Sequence, residues 1–198
     1  MNRDDAHKLM TSMLQSKNLQ KHGLAVEAIM RALCKYLKQT THGRGTNVVE
    51  EFNEEEWGIV GLLHDADYEL VEKDPKKHTL VTEEKLREIG GVSERVINGI
   101  KAHHDGIKTS RDNLMESSVY AADELSGLIT AVALVRPDKK LSSVTVESVM
   151  KKFPQKNFAA GANRDQILAC EKELNISLEE FVGIALKTMQ GIADELGL

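Results

Sequence analysis

Cysteine, proline and aromatic residues are scarce in this 198-residue chain, and long apolar runs are missing. The two cysteines, Cys34 and Cys170, stand far apart with no C-x-x-C spacing, which argues against both a disulfide framework and a thiolate zinc site. Both read as reduced thiols on helices. No window approaches the roughly 18 apolar residues that a membrane span needs, and the opening MNRDDAHKLM has no apolar segment. A cytoplasmic location without membrane insertion is therefore expected. Aromatics at 4% leave an aliphatic core, and three prolines with few alternating β-branched runs point to helices rather than sheet.

Positive charge is in deficit as well. A net charge of −5 argues against general nucleic-acid binding. The imbalance is local, however: between Arg136 and Arg164 seven basic and two acidic residues give +5, which leaves −10 for the remainder.

Hydrophobic residues at 41% and charged residues at 29% are ordinary for a soluble globular chain, and the length fits one domain. Helical periodicity recurs along it. In LQKHGLAVEAIMRALCKYL, the residues Val26, Ile29, Met30, Leu33 and Leu37 form a stripe that His22 extends toward the N-terminus. In FNEEEWGIVGLLHD, Asn53 is a candidate N-cap followed by three glutamates, and Trp57, Val60, Gly61 and His64 share one face. In GGVSERVINGIKAHHDG, Ser93 caps a stripe of Val96, Ile97 and Ile100 that continues into His103 and His104, with Gly106 closing it. A longer helix over about 112–136, before Pro137, brings Val119, Ala122, Asp123, Ser126, Ile129 and Ala133 near one face. A last helix starts at SLEE, where Ser177 and Glu180 match a capping box. Residues 38–52 read as an extended loop, either a lid or an insertion.

Each polar residue on these stripes has a plain explanation as a hydrogen-bonded boundary residue. Their repetition is what points elsewhere: His22, His64 with Asp65, His103 with His104, and Asp123 fall on the apolar sides of four separate helices. Burying them with no counter-ion costs on the order of several kcal/mol each. A divalent metal inside a helical bundle removes that cost, and an imidazole and carboxylate set suits zinc, iron, manganese or nickel.

The order His22, His64-Asp65, His103, Asp123 resembles the signature of the HD-domain superfamily of metal-dependent phosphohydrolases. Within it, KHGLAVEAIMRAL, WGIVGLLHDADYE and AADELSGLITAVALVRP are similar to an uncharacterised HDIG-type hydrolase subfamily. The resemblance implies an all-α, single-domain bundle over 1–198, with its core at about 18–135 and C-terminal helices 142–198 packed on it. It implies a primary metal site of His22, His64, Asp65 and Asp123. It further implies that Asp65 bridges to a second ion held by His78 and by His103 or His104, so that one or two ions of Fe, Mn, Zn, Ni or Co are expected. Two departures stand out: HDIG reads His64-Asp65-Ala66-Asp67 here, and no GYP follows His103-His104, which counts against cyclic di-guanylate as substrate. His7 and His42 match nothing and read as surface residues.

A metal-activated water attacking a phosphate ester of a nucleotide or related small metabolite is the expected chemistry. Arg136, Lys139 and Lys140 are candidate phosphate-binding cations, weighed against a solvated face. Glu69, four residues beyond Asp65, is a candidate general acid or base, and Asp65 the central catalytic carboxylate. The partner is then a small phosphorylated molecule; the oligomeric state, homo-oligomer included, stays open. Two other readings remain: a di-iron oxygenase on the same fold, and a ligand-sensing protein that its metal merely stabilises.

Overall fold

The computed structural model describes residues 1–41 and 52–198, all helix, turn and loop with no strand among them. Helix α1 (Arg3–Met13) leads into α2 (Lys17–Thr41), whose stripe Val26, Ile29, Met30, Leu33 and Leu37 is buried as its spacing requires. Helix α2 therefore continues through residues 38–41, where the sequence indicates a loop; residues 42–51 of that stretch, with His42, lie outside the described residues.

Helix α3 (Glu54–Leu63) is capped by Asn53, whose side chain accepts the N–H groups of Glu55 and Glu56, with the three glutamates in its first turn. It packs on α2 along Gly61. A Cβ there would sit 2.7 Å from the Val26 carbonyl oxygen, so the two helices approach as closely as backbones allow. Turns then carry the chain to α4 (Leu80–Ile89) and α5 (Glu94–Lys101), the latter capped by Ser93 as its sequence indicates. Helix α5 stops at Lys101, so His103, His104 and Gly106 stand in the turn beyond it.

The central helix is α6 (Leu114–Leu134), capped by Asn113 and buried along most of its length. It touches α2, α3 and α5 on one side. On the other it meets the C-terminal helices α7 (Val146–Lys152), α8 (Arg164–Ile167), α9 (Ala169–Lys172) and α10 (Leu178–Gly191). A last turn of helix, α11 (Ala193–Leu196), returns to α2. Ser177 caps α10 through the Glu180 N–H, but Glu180 does not complete a capping box: its carboxylate accepts the Tyr36 hydroxyl at 2.7 Å instead. Tertiary contact outcompetes the local arm. The reciprocal box occurs at Thr145 and Ser148, on α7.

One aliphatic cluster runs through all of this, with Trp57 and Phe181 its only large fully buried rings among the described residues. Cys34 on α2 and Cys170 on α9 are free and buried, and burial pushes their thiols up to about 11 and about 12.

Candidate metal centre

The centre forms where α2, the end of α3, the turns after it, the end of α5 and the middle of α6 converge. Its first feature is the way each imidazole is anchored through Nδ1. His64 and His103 stand just past the ends of α3 and α5, where the last carbonyls have no intrahelical partner. Each ring donates to one of them, Gly61 and Ile100, at 2.7 Å in both cases. His78 donates to the Asp67 carboxylate at 2.7 Å. His22 lies 3.0 Å from the Ser126 hydroxyl, whose own proton goes to the Asp123 carbonyl, so Ser126 accepts from His22. All four rings thus hold their proton on Nδ1 and turn Nε2 inward.

The inward atoms fall into two groups. His22 and His64 bring Nε2 atoms to 3.1 Å, with Asp123 Oδ1 at 2.9 and 3.5 Å from them. His78 and His103 bring theirs to 3.0 Å. Asp65 stands between: its Oδ2 is 3.6 Å from His22 and His64, its Oδ1 3.0 Å from His78 and 3.5 Å from His103. Facing imidazole lone pairs at such distances repel unless a proton or a metal sits between them. Donor atoms on a four-coordinate ion with bonds of about 2.1 Å are about 3.4 Å apart, so this donor set has the spacing and the chemistry to hold a divalent metal.

Charge follows the same division. Burial lowers the His64 imidazolium, but the Asp65 charge and the Asp123 carboxylate overcome it and raise the group to about 9. Burial likewise lowers His78, which Asp65 and Asp67 raise to about 9. Burial works against the Asp65 and Asp123 carboxylates, yet the surrounding histidines hold both well below the usual range.

His104 differs from the other four. Its Nδ1 accepts the Gly106 N–H at 2.9 Å, which leaves the proton on Nε2, a buried atom with no partner among the described residues. Burial, then His103 and His78, push it down to about 4. Although its ligand atom lies within 4.8 Å of those of His78 and His103, the ring is held as a neutral donor, and His103 supplies the bare nitrogen.

A cleft of about 510 Å³ opens over these residues, with Tyr68, Lys73 and Glu124 on its walls. Lys73 is its one non-histidine cation among the described residues. Burial and the neighbouring Asp123 charge raise the Glu124 carboxyl, which accepts the Asn163 N–H at 2.9 Å.

Several expected site residues lie elsewhere. Helix α3 ends at Leu63, so Glu69 is carried away and accepts the Gln15 and Ser16 N–H groups between α1 and α2. Arg136, Lys139 and Lys140 follow the end of α6 and do not line the cleft, because thirteen residues of straight helix and turn separate Arg136 from Asp123, roughly 20 Å at helical rise. Arg164 donates to the carbonyls of Phe153, Phe158, Ala159 and Ala162, binding its own loop together. His7 is half-buried on α1, away from the cleft. In turn, Asp67, Lys73, Glu124 and Ser126 join the site with no expectation from the sequence. Three of them had no periodic signal, and Ser126 was counted only as part of a helix face.

The HD-domain profile matches residues 19–128, more than half of the chain. The chain belongs to the HD-domain family. No curated protein and no solved structure matches it. All the candidate ligands of this HD domain, from His22 to Asp123, fall inside the matched segment, whereas Arg136, Lys139 and Lys140 lie beyond it. Among the described residues no helix is long and apolar enough to cross a membrane.

Proposed function

We propose that this HD domain is a metal-dependent phosphohydrolase acting on a phosphate ester of a nucleotide or related small metabolite, through two divalent transition-metal ions. The observation that carries the reading is Asp65, whose two oxygens face different histidine pairs. When bound, such ions polarise a phosphoryl oxygen and acidify water.

The chain's own residues divide the remaining work. Lys73 at the wall attracts a dianionic phosphate into an otherwise acidic cleft. Glu124, with its carboxyl raised, is suited to hold a proton for the leaving oxygen, the role expected of Glu69 from the sequence.

The test is a panel of phosphomono- and phosphodiesters assayed with Mn²⁺, Fe²⁺, Co²⁺, Ni²⁺ and Zn²⁺ in turn, parent against Asp65→Asn. Turnover by the parent and a loss of at least about a hundredfold in kcat for the variant is expected, because an amide cannot bridge as a carboxylate does. Metal-loaded protein inert toward the panel, or consuming oxygen with a polyol, would overturn the reading.

A further inference from the structure

Asp67 stands where the HDIG pattern has glycine. It is fully buried, two residues after Asp65, and all its bonding capacity is directed. Oδ1 accepts from His78 Nδ1 at 2.7 Å and from the Thr79 N–H at 2.9 Å; Oδ2 accepts the Val81 and Thr82 N–H groups at 3.0 Å each. Thr79 makes no side-chain cap for α4, so Asp67 satisfies the first N–H groups of that helix from a distance. The segment it pins carries left-handed backbone at Glu72, Lys73 and Thr79, with φ of 52°, 63° and 74°, a conformation that non-glycine residues keep only when their surroundings enforce it. His78 sits within this segment and on no helix.

We propose that Asp67 is the positioning residue that makes His78 a metal ligand. A carboxylate facing Nδ1 can only accept, so it fixes the proton there and leaves Nε2 bare beside Asp65 and His103. The same carboxylate bonds the N–H of Thr79, the residue after His78, and the first N–H groups of α4. Ring orientation, tautomer and loop position of this ligand therefore all depend on one side chain. The half of the centre made by His22, His64 and Asp123 does not involve it. This inference rests on the two-ion part of the reading above and is independent of the reaction catalysed.

Asp67→Asn separates the two halves. Turned one way its amide nitrogen meets the Val81 and Thr82 N–H groups; turned the other way it donates toward His78 and selects the tautomer that cannot ligate. Calorimetric titration of metal-stripped protein with Mn²⁺ is expected to give two ions per chain for the parent. The variant is expected to lose about 10- to 100-fold in affinity for one ion and keep the other. In a His78→Ala background, Asp67→Asn is expected to cause no further loss, whereas a purely structural role would add its own. Should Asp67→Asn not fold, two-bond ¹⁵N–¹H spectra of the Zn²⁺-loaded parent decide the matter, with His78 expected as the Nδ1–H tautomer. A parent that binds one ion, a variant that keeps both at parental affinity, additive losses, or an Nε2–H His78 would each overturn the proposal. Two ions bound with no phosphoester turnover would instead sink the proposed reaction and leave Asp67 its role.

Discussion

The four Nδ1-anchored rings rest on four different acceptors, namely a carbonyl at the end of α3, a carbonyl at the end of α5, a serine hydroxyl on α6 and a buried carboxylate. No common motif supplies them; what they share is that each can only accept in its context. Against these fixed groups Lys73 is exposed, its ammonium 5.7 Å from the Tyr68 ring centroid, so its contribution is a screened attraction rather than a buried ion pair. Lys73→Ala is accordingly expected to raise KM for a phosphorylated substrate by about fivefold with kcat unchanged, and the difference should shrink in high salt. Steady-state kinetics at two ionic strengths checks this, and an unchanged KM at low salt would remove Lys73 from phosphate recognition.

Among elements, the α2 and α3 contact decides whether His22 and His64 can meet, and Gly61 decides that contact. Alanine there would gain about 1 kcal/mol of helix propensity. Its methyl would also lie 2.7 to 2.8 Å from Val26 and Glu27 backbone atoms, which cannot turn aside as a side chain can. Overpacking of about 1–3 kcal/mol then applies at its upper end, and the clash prevails. Gly61→Ala is expected to melt several degrees lower and to bind metal more weakly, since α3 carries His64 and Asp65 away from α2. Calorimetry with and without Mn²⁺ checks both effects, and a variant melting at or above the parent would show that the helices have room to part. The helices that carry the centre were largely legible in advance, although α1 and α4 were not: Asn53 and Ser93 are caps as their positions indicate, and the α2 stripe is buried throughout. The turns 64–79 were not, because left-handed residues such as Glu72, Lys73 and Thr79 leave no periodic trace in a sequence.

For the molecule as a whole, residues beyond the matched HD segment also support the centre. Gln166 on α8 is buried and donates to the His103 and Tyr120 carbonyls at 2.8 and 2.9 Å, and Asn163 ties the same segment to Glu124. Charge in the centre then makes stability depend on pH. In metal-free protein His64 and His78 are raised to about 9. Their stabilisation is complete below the unfolded value of about 6.5 and lost as pH climbs toward 9. Asp65 and Asp123 are depressed, so theirs is present above about pH 4 and lost on further acidification. The metal-free Tm is expected to be highest near pH 6.5, to fall toward pH 9, and to fall also toward pH 4, where His104, held down to about 4, resists the proton that the unfolded chain binds. Metal must displace the protons from Nε2, so its stabilisation grows over the same alkaline interval. Melting curves with and without Mn²⁺ should diverge from pH 6.5 to 9, and parallel curves would contradict this charge assignment.

The sequence by itself determined the helices that carry the centre, the aliphatic core and the residue types of the centre, because helical periodicity and the cost of burying unpaired imidazole and carboxylate are local or compositional facts. It also pointed to His22, His64, Asp65, His103 and Asp123 as candidate ligands, although His64, Asp65 and His103 stand past helix ends and not on helix faces. Which groups hold those ligands was decided only by the tertiary structure. Asp67 reaches His78 and the start of α4, Ser126 reaches His22 across 104 positions, and Gln166 reaches His103 across 63. The cation on the cleft wall is Lys73 and not Arg136 for the same reason: distance along the chain places a side chain only while one helix continues, and beyond its end packing sets the distances.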